Sequence, residues 1–299
     1  MSSAGTQNGP WTVAQLLSWT QGHLQKHGVE SPRLCAEILL SHAMGCERIE
    51  LYTRYELVPG EEVLGSFRSV VREATTGKPI AYLTGRKEFF ALDFEVTPDV
   101  LIPRPETEVL VERVIHLVRQ SEGSVKSILD VGTGSACIAI SLARHLPGAS
   151  VFASDISPSA LDVARRNARR HGVLDRIEFR TGDLFAPWDP ELRFDAIVSN
   201  PPYVAEADAA SLPAAVREFE PDVALFAGPD GLAVVKRLIA EAPGHLCPGG
   251  HLLTEVAYNQ SAAVQGLLDA AVWNGIVTYR DGSGHERVVH ARHAASEQT

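Results

Sequence analysis

The 299-residue chain has few cysteines, no long apolar run and no surplus of positive charge, and each shortage excludes something. Its four cysteines, Cys35, Cys46, Cys137 and Cys247, are scattered, with no Cys-x-x-Cys pair. That spacing supports neither a zinc site nor a disulfide framework, so reduced thiols and no bound metal are expected. No apolar stretch reaches the roughly 18 residues that a membrane span needs. The first ten residues are small and polar without an apolar segment, so no secretory signal is expected and the chain reads as a soluble cytoplasmic protein. A net charge of −10 argues against broad, sequence-independent binding to DNA or RNA, which depends on phosphate neutralisation. Internal repeats and low-complexity tracts are also missing. What remains, at 45% apolar and 21% charged residues, is globular and long enough for two domains, with frayed ends expected before Trp11 and after about Arg292.

The pattern of apolar residues changes twice along the chain. Residues 1–78 read as a small helical domain. Val13, Leu16, Leu17, Thr20 and Leu24 recur at helical spacing behind Thr12 as N-cap, Ser31-Pro32 opens a second helix, and Val63 to Ala74 marks another. Residues 79–104 read as a β-hairpin linker, because Phe90, Leu92, Phe94 and Val96 alternate with polar or small residues as a strand with one apolar face. From 105 to 299, strands near 128, 151–153, 177–179, 194–198 and 250–256 alternate with helices over 137–145, 158–171, 229–241 and 260–270. A strand pair over 276–279 and 288–290, turned by Asp281-Gly282-Ser283-Gly284, would finish the sheet. Strand–helix alternation with an antiparallel end predicts a doubly wound α/β fold.

Within that frame Ser199-Asn200-Pro201-Pro202-Tyr203 stands out. It follows the apolar run Ala196-Ile197-Val198, and two prolines cannot continue a ladder, so the strand stops and leaves Asn200 at its carboxyl edge. Ligands of open α/β sheets bind at that edge. The Asn200 carboxamide offers an acceptor oxygen, and Pro201 has a carbonyl but no N–H. Two adjacent acceptors suit a substrate presenting an NH₂ group, and Tyr203 supplies a flat face for a planar amide or base. The plain alternative is a strand-ending turn with a packed tyrosine.

Upstream, Asp130-Val131-Gly132-Thr133-Gly134-Ser135-Ala136 occupies the first strand-to-helix turn. Gly132 and Gly134 permit a tight turn close to a ligand. The dinucleotide fingerprint G-x-G-x-x-G fails here, because Cys137 stands where its third glycine would be. Asp130 would repel a pyrophosphate but attract an ammonium. S-adenosylmethionine has an ammonium and no phosphate. Asp155, about 20 residues on, is placed to accept hydrogen bonds from ribose hydroxyls, and Asp183 with Leu184 to bracket an adenine. Each also has a bland explanation, Asp155 as a cap before Ser157-Pro158 and Asp183 as a turn former.

Several strings together resemble the release-factor glutamine N5-methyltransferase family (HemK/PrmC type), among the class I S-adenosylmethionine-dependent methyltransferases. They are Pro79-Ile80-Ala81-Tyr82-Leu83-Thr84-Gly85, Phe89-Phe90, Leu101-Ile102-Pro103-Arg104-Pro105-Glu106-Thr107-Glu108, Leu129 to Gly134, Asn200-Pro201-Pro202-Tyr203, Phe219-Glu220-Pro221, Gly228-Pro229-Asp230-Gly231-Leu232 and Glu286-Arg287-Val288. The resemblance spans about 78 to 291, and the helical part is consistent with the family's first domain. In one departure, Ala136 stands where the family usually has glycine.

The resemblance implies a seven-strand, Rossmann-like methyltransferase sheet and S-adenosylmethionine as methyl donor. The cofactor set is then Asp130, Gly132, Thr133, Gly134, Ser135, Ala136, Asp155, Asp183, Leu184 and Asn200. Asn200, Pro201, Pro202 and Tyr203 form the catalytic set. The implied substrate is the Gly-Gly-Gln loop of peptide chain release factors; the helical domain, which carries no catalytic constellation, reads as the part that recognises it, and a monomer is expected. Another protein glutamine or a nucleic-acid amino group is the alternative acceptor, and a nicotinamide or flavin oxidoreductase is disfavoured by the failed fingerprint. Arg104 is a candidate site-lining residue. Glu255, ending the fifth strand, reads either as a support for the site or as a cap. Arg165-Arg166-Asn167-Ala168-Arg169-Arg170 reads as a solvated helix face, with a contact to the release factor or ribosomal RNA as the alternative.

Overall fold

The computed structural model describes residues 10–121 and 123–294, so most of the end segments expected to fray lie outside the described residues. The chain forms two compact units: Met1–Gly85 with Ala214–Phe219, and Arg86–Pro213 with Glu220–Thr299.

The first unit contains α1 (Val13–Lys26), α2 (Pro32–Met44), α3 (Glu50–Thr53), α4 (Glu61–Ala74) and α5 (Ile80–Thr84). Thr12 caps α1 through a reciprocal box: its hydroxyl accepts from Gln15 N, and the Gln15 side chain accepts from Thr12 N at 3.0 Å. Val13, Leu24, Leu39, Leu40, Leu51 and Phe67 make its buried centre. A groove of about 500 Å³ opens on this unit between Trp11, Trp19 and His23 on one side and Arg68, Val71 and Arg72 on the other.

Residues 79–104 are not one hairpin. They begin with α5, which groups with the helical unit, and only β1 (Arg86–Phe89) and β2 (Leu92–Glu95) pair. The apolar alternation from Phe90 to Val96 runs through the turn. Phe90 and Ala91 occupy its corner with φ of +51° and +56°. Phe89 and Phe94 are buried on either side of it, each worth roughly 1.5–3 kcal/mol, and their burial sets the register that the turn must close.

The second unit carries α6 (Glu108–Gln120), β3 (Ser127–Val131), α7 (Cys137–His145), β4 (Ser150–Asp155), α8 (Pro158–Arg170), β5 (Ile177–Thr181) and β6 (Phe194–Ser199). After α9 (Ala214–Phe219), which groups with the helical unit, come α10 (Ala233–Glu241), β7 (Leu246–Glu255), α11 (Ser261–Gln265), β8 (Trp273–Arg280) and β9 (Glu286–His293). The seven-stranded sheet has the order β5-β4-β3-β6-β7-β9-β8. β3 to β7 are parallel, while β9 runs antiparallel to both β7 and β8. Neighbouring residues in a strand enter different apolar layers. Ile128, Ala196 and Val198 belong to one, and Leu129, Ile197 and Leu252 to the other. The central strands therefore read as continuous apolar runs because both faces are covered.

Two helices are shorter than the sequence pattern suggests. α10 starts at Ala233 rather than 229, because Gly228 and Gly231 take φ of +75° and +69°, outside helical space. α11 stops before Gly266 instead of running to 270. Along α8, Leu161, Ala164, Asn167 and Ala168 are buried and the arginines face outward. Arg166 pairs with Glu95 at 2.7 Å and Arg165 with Asp162 at 3.4 Å, so the basic run is partly neutralised by neighbouring acids. Asn167 is fully buried within that run. It accepts from Glu95 N at 2.7 Å and donates to the carbonyls of Glu95 and Ser135, both at 3.0 Å. One side chain thus ties the hairpin to the glycine-containing turn.

Candidate active site

β3 and β6 lie side by side at the centre of the sheet, where the strand order reverses, and the turns after them share one cavity. A switch point of this kind opens a crevice at the carboxyl ends of the strands. The cavity is about 310 Å³ and lined entirely by the second unit. Its wall includes Gly132, Thr133, Gly134, Ser135, Asp155, Asp183, Leu184, Asn200 and Pro202. Arg104, expected from the Pro-Arg-Pro string, also lines it. Asp130, Ala136, Pro201 and Tyr203 do not lie on the wall.

The glycine turn owes its shape to the backbone. Gly132 and Gly134 have φ of +73° and +55°, and a Cβ on either would meet nothing within 4 Å, so conformation and not space demands glycine there. The N–H groups of Gly132 and Thr133 donate to Ser154 O at 2.9 and 3.0 Å, and Gly134 N donates to Asp155 Oδ2 at 2.8 Å. Ala136 continues the turn at φ +62°, where a Cβ is disfavoured, and its place as N-cap of α7 explains why glycine suits this position.

The three acids are staggered rather than level. Asp130 pairs in register with Ala153, two residues short of Asp155, and Asp155 pairs with Thr181, two residues short of Asp183. Asp130 is fully buried beneath the turn. Its Oδ2 accepts from the Thr133 hydroxyl at 2.6 Å and from Ala139 N at 3.2 Å, while Oδ1 has no partner among the described residues. Burial pushes its pKa up to about 7 against those two donors, and nearby Asp155 adds to the rise. Burial also raises the Asp155 carboxyl, opposed by the N–H groups of Ser157 and Gly134. Asp183 lies beyond the end of β5 in a two-pronged ion pair with Arg237, at 2.9 and 3.3 Å.

At the end of β6, Asn200 Nδ2 donates to Thr107 Oγ1 at 3.2 Å. With one amide hydrogen committed to Thr107, Oδ1 is the acceptor Asn200 can offer a ligand, beside its second N–H. Pro201 is buried. Tyr203 is half-buried, and burial together with Glu255 and Glu106 raises its hydroxyl pKa, against Arg287 and Arg104. Its carbonyl accepts from Gln260 Nε2 at 2.9 Å, and the next residue, Val204, bonds Leu225 and Ala227. Gly231 packs so closely that an added Cβ would lie 2.4 Å from the Tyr203 carbonyl oxygen. The Gly-Pro-Asp-Gly-Leu string is therefore the clamp on the segment after the prolines. Sequence reasoning did not assign Thr107, Gln260 or Gly231 a role at the site. Thr107 and Gly231 lie within the family-like strings, but the pairing of each becomes visible only once the chain is folded.

The carboxyls of Asp155 and Asp183 on the cavity wall, beside the glycine turn, suit a cationic ligand with hydroxyls, so these residues fit S-adenosylmethionine. Fold and site together define a methyltransferase. A family profile described as the PrmC N-terminal domain matches residues 15–85, and one described as the methyltransferase small domain matches residues 106–219. The release factor glutamine methyltransferase of Rhodopirellula baltica is 43% identical over 283 residues, covering 94% of this chain and 96% of the relative. That of Geobacter sulfurreducens is 42% identical, covering 94% and 97%. Among solved structures the hMettl16 catalytic domain superposes with a TM-score of 0.53 at 19% identity over 78% of this chain and 83% of the other, a likeness of fold. The chain belongs to the release factor glutamine methyltransferase family.

Proposed function

We propose that this enzyme methylates the side-chain nitrogen, N5, of the glutamine in the Gly-Gly-Gln loop of peptide chain release factors, with S-adenosylmethionine as donor. The observation that carries the reading is Asn200. It stands at the carboxyl end of β6 on the wall of the cavity that also contains the glycine turn, with its nitrogen held by Thr107 and its oxygen left to accept. Gly132 to Ser135, Asp155, Asp183 and Leu184 would hold the donor, with Asp130 bracing the turn from beneath through the Thr133 hydroxyl and Ala139 N. Bound there, S-adenosylmethionine supplies a sulfonium methyl group, the electrophile that an amide nitrogen takes while giving up one proton.

An amide nitrogen is a weak nucleophile because its lone pair is shared with the carbonyl. Acceptors on its two hydrogens return electron density to it. Asn200 Oδ1 and the Pro201 carbonyl are the pair assigned here, with Tyr203 packing on the amide plane. Most of the rate enhancement then comes from positioning. The helical unit is the part assigned to recognising the release factor.

The test is transfer of labelled methyl from S-adenosylmethionine to a purified release factor, beside a release factor whose Gly-Gly-Gln glutamine is replaced by alanine. Label on the first and none on the second is expected. Label on neither overturns the acceptor and directs the search to ribosomal proteins and nucleic acid.

A further inference from the structure

We propose that Glu255 is a positioning residue for methyl transfer, holding the Asn200 carboxamide with its oxygen toward the substrate by fixing the Thr107 hydroxyl. The inference rests on the assignment of Asn200 as acceptor of the substrate amide.

Glu255 is the last residue of β7, the strand beside β6, and is 1% exposed. Neither of its oxygens completes a hydrogen bond among the described residues. A buried carboxyl left that way is destabilising, so its retention calls for a reason. Thr107 is the hydroxyl beside it, close enough to favour its ionised form but outside good hydrogen-bond geometry. Thr107 is itself buried, and its oxygen takes the Asn200 Nδ2 hydrogen at 3.2 Å.

A hydroxyl has one hydrogen and two lone pairs. While Thr107 accepts from Asn200, its own hydrogen must point elsewhere, and the Glu255 carboxylate is the side-chain acceptor placed to take it. That arrangement polarises the line Glu255–Thr107–Asn200 in one direction. With the carboxylate neutralised, the Thr107 hydrogen is free to turn toward Asn200, and the carboxamide flips to present NH₂ to the cavity. Donor would then face donor at the substrate amide. The ionised carboxylate therefore promotes turnover, and protonation opposes it.

The groups facing Glu255 set where that change falls. Glu106 and Thr107 come from the turn before α6, Arg104 from the preceding loop, Arg287 from β9, Tyr203 from the segment after β6 and Cys137 from α7. Burial raises the carboxyl to about 7, with Thr107 opposing, Glu106 adding, and Arg287 and Arg104 opposing.

The experiment measures methyl transfer to a release factor by the full chain from about pH 6 to about pH 9 for wild type, Glu255→Gln, Glu255→Asp, Thr107→Val and the Glu255→Gln/Thr107→Val double variant. Wild-type kcat is expected to rise through a limb centred near 7. Glu255→Gln should lower kcat on the order of ten-fold, leave both KM values within about two-fold and flatten the limb, and the double variant should be no worse than either single. Glu255→Asp should restore part of the limb. Glu255→Gln turnover within about two-fold of wild type, a persisting limb, or losses that multiply in the double variant would each overturn the proposal. Should Glu255→Gln fail to unfold cooperatively or to bind S-adenosylmethionine, Thr107→Val decides: a flattened limb supports the line and an unchanged limb breaks it. A wild type that leaves the release factor unlabelled refutes the functional assignment itself, an outcome distinct from any difference among the variants.

Discussion

Arg104 and Glu220, 116 residues apart, meet in a 2.5 Å ion pair that joins the Pro-Arg-Pro loop to the Phe-Glu-Pro string. The Glu220 side chain is 1% exposed and also accepts from Ile102 N at 3.2 Å. Arg104 remains 25% exposed, so water can still reach one end of the pair. Two strings that look unrelated along the chain thus fold into one wall of the cavity. Glu220→Ala leaves a guanidinium and a buried N–H without their acceptor. Breaking a buried pair from one side is expected to destabilise by about 3 kcal/mol. Urea unfolding is the measurement, and a loss below about 1 kcal/mol would show that the pair is not an anchor.

Asn200→Ala removes the acceptor oxygen and leaves Thr107 without its donor. By comparison with loss of one preorganised polar contact, turnover should fall on the order of 10²–10³-fold. Affinity for S-adenosylmethionine, measured by titration, should change far less, because the glycine turn and Asp155 are untouched. Near-normal turnover in this variant would remove Asn200 from the chemistry.

Gly231→Ala tests the clamp behind Tyr203. The new Cβ would lie 2.4 Å from Tyr203 O and 2.9 Å from both Ala205 N and Gln260 Nε2, at a φ of +69°. Two of these atoms are backbone and cannot swing aside, so the segment after the prolines must shift. A stability loss of about 2 kcal/mol or more is expected, together with a fall in kcat, since overpacking and a left-handed Cβ act together. Gly282→Ala, where a Cβ meets nothing within 4 Å, is the control and should change little.

Much of this arrangement is legible in the sequence, and the parts that are not share a cause. The strand–helix alternation is readable because the central strands are apolar on both faces, and the start of α1 because Thr12 with Gln15 forms a complete capping box. The site strings are readable because Gly132 and Gly134 permit backbone that other residues avoid, while Pro201 and Pro202 constrain it. The hairpin corner at Phe90-Ala91 is not, since turns with two positive φ values normally advertise themselves with Asn or Gly. Nor is the excursion from Val204 to Leu232, which is mostly turns and short 3₁₀ segments without apolar periodicity. Thr107, Glu220 and Glu255 owe their importance to partners far along the chain, and local pattern carries no trace of such pairings.

Ala136→Gly should stabilise the protein slightly. The left-handed backbone at φ +62° disfavours a Cβ by roughly 1–2 kcal/mol, while glycine gives the unfolded chain extra freedom worth about 0.4–1 kcal/mol. The difference leaves a gain of up to about 1.6 kcal/mol, visible as a higher urea midpoint at constant slope. A net loss would mean that the Ala136 methyl, fully buried in the layer around α7, contributes more by packing than its conformation forfeits.

His251 and His290 lie on the paired strands β7 and β9, with Nδ1 of the first 3.0 Å from Nε2 of the second. Burial, and then the neighbouring His251, depress the His290 pKa to about 4. Burial and Arg292 lower His251, against Asp195. In the unfolded chain both rings take up a proton near pH 6.5, while the folded His290 resists until about 4. The unfolded state therefore binds more protons across that window, and stability falls as pH drops from about 6.5 to about 4. The full shift corresponds to ~3 kcal/mol from His290. Asp130 and Glu255, raised by burial, act in the opposite sense between about 4 and 7, so the wild-type curve alone is ambiguous. The difference between wild type and His290→Gln isolates the histidine. That difference should shrink or reverse toward the variant as the medium is acidified through this window, and a constant gap would mean that His290 does not titrate as its burial requires.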